Sequence, residues 1–257
     1  MLPSMLLIAA ALAEELETAL NLCSRRSKIR CAGVPVWLGT RAAETLHFVK
    51  LGTGPAQSAA RLERVLTGLK ATGILVIGYA GALDPALKQG ELVVVDRADQ
   101  LSEEFWGAPL EEIGLAGGWI LSRADELYDL ARRAGLPVHR GPALTSPCMM
   151  GAPAHKQVLF KKFRASIVDM ETAALARVAA RAEVPLSCVR AISDEACDDF
   201  LAELSYNPGA GNLQRAAKAL AAGGWMRRYS QWRERSKSAR QNLSKFLACY
   251  LDSHANR

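Results

Sequence analysis

The chain has 257 residues, of which 50% are hydrophobic and 23% are charged, as in an ordinary globular protein. This composition excludes a disordered chain and a coiled coil, and the length is sufficient for one large α/β domain or for two domains. Much of the formal net charge of +6 lies between residues 227 and 245, without a zinc-spaced or aromatic-interleaved motif. We therefore expect a solvated helix face there and no nucleic-acid partner.

The six cysteines show no pattern typical of a metal site or of a disulfide framework. No two of them form a CxxC pair, and no histidine stands at a metal-ligand spacing from them. We therefore expect no metal and no cofactor, and we expect reduced thiols in a cytoplasmic protein.

The first apolar run, residues 5–13, resembles a short secretory sequence. No basic residue precedes it, however, and Glu14 and Glu15 follow it directly. We therefore predict a first β-strand that leads into a helix over residues 14–22. The segments predicted next are a basic turn over 24–30 and two strands over 34–38 and 45–49.

A glycine turn at residues 51–54 precedes a predicted helix that ends near Lys70. The backbone N–H groups of such a turn can bind an anion, and the same glycines also suit a plain tight turn, so both interpretations stay open. The apolar run from residue 73 is predicted to be a buried strand. It ends in small residues, including Ala80 and Gly81, which let a flat ligand approach the backbone closely.

The middle of the chain continues the alternation of strands and helices, with one interruption. The predicted segments are a strand over 90–96, a long loop or partner-contacting excursion over 100–118, a helix over 122–134 and a strand over 142–145.

Two acidic residues follow strands in the next part of the chain. Glu171 comes after the apolar run 166–168 and precedes a predicted helix over 172–182, and Asp194 ends the apolar run 186–192. In open α/β sheets ligands bind outside the carboxyl ends of strands, so we expect both carboxylates to face one crevice. Taken alone, Glu171 is also explained as a residue that complements the dipole of its helix. Asp194, taken alone, is also explained as a turn residue after a strand.

The C-terminal part is predicted to contain a break over 207–211, a helix over 212–222 and one or two amphipathic helices over 225–251. The apolar face of the last segment suits either a membrane surface or the body of the protein, and we favour the latter. We find no internal repeat and no linker. The predicted organisation is therefore one domain over residues 1–224 and a basic amphipathic helical tail over 225–257.

Three stretches in this order, residues 8–16, 77–95 and 167–196, together resemble the nucleoside phosphorylase and nucleosidase superfamily, and within it the methylthioadenosine/S-adenosylhomocysteine nucleosidases. The most specific part is Val-Asp-Met-Glu-Thr-Ala-Ala-Leu-Ala with Val-Arg-Ala-Ile-Ser-Asp. The resemblance implies an α/β fold: a single three-layer domain with a mixed, twisted central β-sheet flanked by helices, and here an extra C-terminal helical tail. It also implies a homodimer.

The resemblance assigns a task to each of three acids. Asp194 matches the general acid that protonates a ring nitrogen of the purine leaving group, Glu171 matches the carboxylate that binds the ribose hydroxyls, and Glu15 matches the acid that orients the attacking water. The chemistry needs such residues, because cleavage builds oxocarbenium character on the sugar and negative charge on the base. The other predicted substrate-binding residues are Met170 at the sugar, the backbone of Ala80 and Gly81 near the base, Met149 and Met150 against the purine, and Ser193.

The resemblance implies hydrolysis of a purine nucleoside, with methylthioadenosine or S-adenosylhomocysteine as the expected substrate and water as co-substrate. Relatives that use phosphate carry an arginine in the loop after the first strand, where this chain has Glu14 and Glu15, although the glycine turn at 51–54 keeps phosphorolysis open. Residues 82–87 resemble the hopanoid-associated branch, whose substrate is a lipid-linked nucleoside, and the tail would then contact a membrane. A noncatalytic nucleoside-binding module is the remaining alternative.

Overall fold

Ten β-strands form one mixed sheet in the part of the chain that the structure describes. The computed structural model describes residues 5–41, 44–102, 108–199 and 236–255. The strands are β1 (Leu6–Ala10), β2 (Ser24–Cys31), β3 (Val34–Arg41), β4 (Glu44–Lys50), β5 (Gly73–Ala82), β6 (Leu92–Leu101), β7 (Leu115–Ile120), β8 (Val138–Thr145), β9 (Ile167–Asp169) and β10 (Leu186–Asp194).

Part of the sheet closes on itself. Strand β10 pairs with β5 in parallel and with β6 antiparallel, β8 pairs in parallel with β6 and β9, and β9 returns antiparallel to β5. The remaining strands extend from β5 in the order β1, β4, β3 and β2, and β7 pairs with β6. The ring therefore brings the ends of β5, β9 and β10 together, with β1 beside them.

Helices cover both faces of the sheet and produce three layers. They are α1 (Ala13–Leu20), α2 (Pro55–Gly68), α3 (Ala124–Arg133), α4 (Pro153–Phe163), α5 (Thr172–Arg181) and α6 (Lys237–Ala255). Leu7 and Ala9 of β1 pack in the cluster that contains residues of α2 and α5. Leu6 and Ile8 point the other way, into a cluster with α1, α3 and α6, as the alternation of side chains along a strand requires. The predicted three-layer α/β fold with a mixed sheet is confirmed.

The C-terminal helix α6 packs on the body of the protein. Leu243, Phe246 and Leu247 are each 0% exposed and belong to the cluster formed with α1 and α3. Its apolar face is thus buried against protein, which accounts for the amphipathic pattern of the sequence without a lipid surface. Residues 225–235 lie outside the described residues, and the division at residue 224 stays a prediction. Over the ranges that the structure describes, no helix combines the length and the apolar character needed to span a membrane.

Two segments differ from the predictions. Residues 24–30 were predicted as a basic turn but form most of β2, whose side chains are exposed from Ser24 to Arg30. Strand β2 lies at the edge of the sheet and has no buried face, so its sequence does not alternate between apolar and polar residues. Charged side chains are common on such edge strands. The predicted long loop over 100–118 is wrong in part, because β6 runs on to Leu101 and β7 occupies 115–120.

The sequence patterns also missed helix α4, which begins at Pro153 and buries Lys156 and Leu159. The remaining strands and helices that were predicted up to residue 194 are confirmed, with shifts of a few residues at their ends. The break predicted over 207–211 and the helix predicted over 212–222 lie outside the described residues.

The packing of α6 leads to a stability prediction. Phe246→Ala removes a fully buried ring and leaves a cavity, so we expect the free energy of unfolding to fall by about 3–5 kcal/mol. Lys245→Ala, at the exposed neighbouring position of the same helix, is the control and should change it by less than about 0.5 kcal/mol. Urea unfolding measures both values, and equal effects would show that α6 does not belong to the core.

Candidate active site

A cavity of about 300 Å³ lies at the carboxyl ends of β1, β5, β9 and β10. The structure brings all nine predicted site residues to its walls: Glu15, Ala80, Gly81, Met149, Met150, Met170, Glu171, Ser193 and Asp194. Further lining residues that were not predicted include Leu12, Thr53, Tyr79, Cys148 and Asp169. The expectation that Glu171 and Asp194 face one crevice agrees with this arrangement, while the tasks of the individual residues remain predictions.

Glu15 is held in place by backbone groups from two elements. It lies in the first turn of α1 and is 2% exposed. Its Oε2 accepts a hydrogen bond from the Leu12 N–H at 2.8 Å, and its Oε1 accepts one from the Tyr79 N–H at 2.9 Å. Gly78 makes this approach feasible, because a Cβ atom there would lie 2.6 Å from Oε1 of Glu15.

Asp169, and not Glu171, caps helix α5. The Oδ1 atom of Asp169 accepts hydrogen bonds from the N–H groups of Glu171 and Thr172, both at 3.3 Å, and from the hydroxyl of Thr145 at 2.7 Å. The side chain of Glu171 is therefore free to line the cavity, and its Oε1 accepts a hydrogen bond from the Gly54 N–H at 2.8 Å. The interpretation of Glu171 as a simple helix residue does not explain this position.

The buried guanidinium of Arg190 lies among these acids. Its Nη2 is 2.8 Å from Oδ2 of Asp169 and 3.7 Å from Oε2 of Glu171, and it donates to the hydroxyl of Thr172 at 2.8 Å. Arg190 is 1% exposed, and each of the two acids is 6% exposed. Buried charges persist only when they are paired in this way, so Arg190 holds the acidic wall of the cavity together.

Burial raises the pKa of two of these carboxyl groups. Desolvation raises the pKa of Glu171 to about 7, with Arg190 acting in the opposite direction and the charge of Asp169 adding to the rise. Desolvation also raises the pKa of Glu15, again against the effect of Arg190. A carboxyl group whose pKa lies near neutral pH can exchange protons during a reaction, as general acid and base groups do.

Asp194 lies at the end of β10, beside Gly81 of β5. The Ser193 hydroxyl donates to its Oδ1 at 2.6 Å, and Lys156 of α4 donates from Nζ to its Oδ2 at 2.5 Å. A Cβ atom at Gly81 would lie 2.9 Å from Oδ2, so the glycine leaves room for the carboxylate. This acid therefore faces a different cation from the acids around Arg190.

The methionines form the apolar part of the wall. Met150 is buried at 4% exposure and packs in a cluster with Cys148 and Val168, whereas Met149 and Met170 are half-buried. Thioethers adapt to flat rings, so this wall can receive a purine and a sugar. In the described part of the chain, no group of three or more His, Cys, Asp or Glu residues is arranged to hold a metal ion.

Sequence reasoning missed three charged residues of the site. Arg190 gave a usable indication, because a charged residue inside an otherwise apolar strand must have a buried partner. Asp169 precedes a helix and therefore suited a capping residue. Lys156 gave no indication in the sequence, since it is one of several lysines in a helix that the pattern did not predict.

The raised pKa of Glu171 predicts how stability depends on pH. A carboxyl with a higher pKa in the folded state stabilises the fold below the unfolded value and loses this contribution as pH rises to about 7. Glu171→Gln cannot titrate, so we expect it to match the original protein near pH 4 and to exceed its unfolding free energy by about 1–3 kcal/mol near pH 8. Urea unfolding across this range measures the difference. Glu63→Gln, an exposed position on α2, should leave the curve unchanged, and parallel curves for Glu171→Gln and the original protein would contradict the prediction.

Comparison with known proteins places the chain in a family. The model of the phosphorylase superfamily matches residues 6–222. The 5'-methylthioadenosine/S-adenosylhomocysteine nucleosidase of Halalkalibacterium halodurans is 27% identical over 217 residues, which cover 78% of this chain and 92% of the relative. The same-named protein of Staphylococcus aureus is 24% identical over 205 residues, which cover 77% and 89%.

Solved structures share the fold. The nucleosidase of Neisseria meningitidis in complex with methylthio-immucillin-A gives a TM-score of 0.72 at 19% identity, covering 97% of this chain and 99% of that one. The futalosine hydrolase of Helicobacter pylori gives 0.73 at 20% identity, covering 97% and 98%. Because the family model spans most of the sequence, the chain belongs to the phosphorylase superfamily, as the resemblance of its motifs predicted.

Proposed function

We propose that this protein is an N-ribosyl hydrolase that cleaves the N-glycosidic bond of a purine nucleoside and releases the free base. The observation that carries the proposal is the separation of buried acids within one cavity: Asp194 lies against Gly81 of β5, and Glu15 lies against Gly78, three residues earlier on the same strand. Hydrolysis of such a bond needs an acid on the side of the leaving group and a carboxylate on the side of the water. The cavity supplies both.

The reaction follows from these positions. The bond between C1′ and the purine nitrogen breaks, its electron pair passes to the base, and Asp194 delivers a proton to a ring nitrogen. Glu15 accepts a proton from the water as the water oxygen bonds to C1′. The raised pKa of Glu15 makes this carboxylate a stronger base than an exposed glutamate.

Glu171 and Met170 form the sugar site. The Glu171 carboxyl accepts hydrogen bonds from the ribose hydroxyls and stabilises the positive charge that develops on the sugar. Met170 packs on the sugar, and Met149 and Met150 pack on the base. The backbone of Ala80 and Gly81 lies against the base, and Ser193 orients Asp194 through its hydrogen bond to Oδ1.

The glycine turn favours water over phosphate as the attacking group. The N–H group of Gly54, which an anion bound in the turn would need, already donates to Glu171. The nearby basic residues Lys50 and Arg61 line a neighbouring cavity, which is also lined by the acidic residues Glu14 and Glu17. Glu171 thus occupies a donor that a bound phosphate would use, and this supports hydrolysis.

The base is adenine, as the names of the related nucleosidases suggest, and methylthioadenosine and S-adenosylhomocysteine are the first substrates to test. A futalosine hydrolase shares the fold, so futalosine is tested beside these two nucleosides. A lipid-linked nucleoside and phosphorolysis remain the alternatives. We further propose a homodimer located in the cytoplasm, in line with the resemblance and with the reduced cysteines.

The assignment of the two catalytic acids leads to a prediction about rate. Asp194→Asn and Glu15→Gln should each lower kcat for adenine release by about 10²–10⁴, because each substitution removes one proton-transfer group. Release of free base, measured by chromatography, gives the rates, and circular dichroism verifies the fold.

Glu17→Gln is the matched control, since Glu17 lies on the same helix as Glu15 but is exposed. Its kcat should stay within about two-fold of the original protein, in line with the small effects of surface substitutions. Full activity in both Asp194→Asn and Glu15→Gln would refute the assignment.

A further inference from the structure

A buried lysine forms an ion pair with the general acid. Lys156 of α4 is 0% exposed, and its Nζ lies 2.5 Å from Oδ2 of Asp194. Burying an ammonium group costs several kcal/mol unless it is paired and hydrogen-bonded. The burial of Lys156 therefore depends on its ion pair with Asp194, which delivers the proton in the proposed reaction.

The environment of Nζ fits a charged ammonium. Besides Asp194, it donates to the backbone carbonyl oxygen of Glu195 at 2.7 Å and to that of Asp198 at 3.4 Å. An ammonium group has three N–H donors and no acceptor, so three acceptors around Nζ match its full capacity. The side chain is thereby fixed in direction.

The other charged groups near Lys156 and Asp194 interact with different partners. The carboxylate of Glu195 binds Lys88 at 3.1 Å, and the Asp198 carboxylate accepts a hydrogen bond from the Glu195 N–H at 2.7 Å. Arg190 pairs with Asp169 and Glu171. Among the residues described here, Lys156 is thus the cation that contacts Asp194.

We propose that Lys156 is a positioning residue for the general acid: its ammonium group stabilises the carboxylate that Asp194 becomes as it delivers its proton, and so sets the pH range in which the enzyme cleaves its substrate. In that step the C1′–N bond breaks, the electron pair enters the purine, the Asp194 proton moves to a ring nitrogen, and Lys156 keeps all its protons. This inference rests on the proposed function, because it needs Asp194 to act as an acid.

The expected effect has a definite sign. A positive neighbour favours the ionised form of an acid, and removal of that charge favours the protonated form. Activity that depends on a proton donor is lost as pH rises, and we expect this loss at higher pH in a variant without the cation. An opposite charge at this distance changes the midpoint by about 1–3 pH units.

The test is a pH profile of kcat for adenine release from methylthioadenosine, measured for the full chain and its variants. Lys156→Gln keeps an N–H donor for the carbonyl groups but removes the charge, and we expect its alkaline limb to move upward by about 1–3 pH units. Lys156→Arg keeps the charge and should leave the limb within about half a unit of the original. Lys161→Gln, at an exposed position of the same helix, is the matched control and should change nothing.

An unchanged alkaline limb in a folded Lys156→Gln variant would overturn the inference, even if its kcat or thermal stability fell. If Lys156→Gln does not fold, Lys156→Met replaces it, because methionine fills a similar volume without a charge. The position of the alkaline limb of its pH profile then decides the outcome. If the original protein releases no base from any purine nucleoside, the proposed function fails instead. The two failures are therefore distinguishable.

Discussion

The site depends on one buried guanidinium. Arg190 lies in the middle of β10, between two strands of the closed part of the sheet, and contacts Asp169 and Glu171. Without it, these acids would share a desolvated space without a compensating charge, at a cost of several kcal/mol. Asp169 in turn caps α5 and Glu171 reaches the glycine turn before α2. The cluster of Arg190, Asp169 and Glu171 thus links α5 and the turn before α2 to the wall of the cavity.

Two cations divide the acids into two groups with different chemistry. Arg190 is shared among several carboxyls, and burial still raises the pKa values of Glu15 and Glu171. Lys156 serves Asp194 alone among the described acids that line the cavity. An enzyme that needs a proton donor on one side of a bond and a proton acceptor on the other obtains both from carboxyl groups when their surroundings differ in this way. The charge pattern therefore supports the same function as the positions of the residues.

The sequence was most informative where strands end in small or acidic residues. The runs that lead to Gly81, Glu171 and Asp194 predicted the cavity, because a strand buried on both faces has a strong apolar pattern and a clear end. The edge strand β2 has exposed side chains on both faces, so periodicity could not reveal it. Lys156 could not be identified either, since its burial depends on how α4 lies against the end of β10, and that is a property of tertiary packing.

The central claim is that water, and not phosphate, cleaves a purine nucleoside in this cavity. The most direct measurement is cleavage of methylthioadenosine in ¹⁸O-labelled water, with and without inorganic phosphate, followed by mass spectrometry of the sugar product. Hydrolysis yields free adenine and a free sugar that carries one ¹⁸O atom, at a rate that phosphate does not increase. A sugar 1-phosphate without the label, or cleavage that requires phosphate, would contradict it.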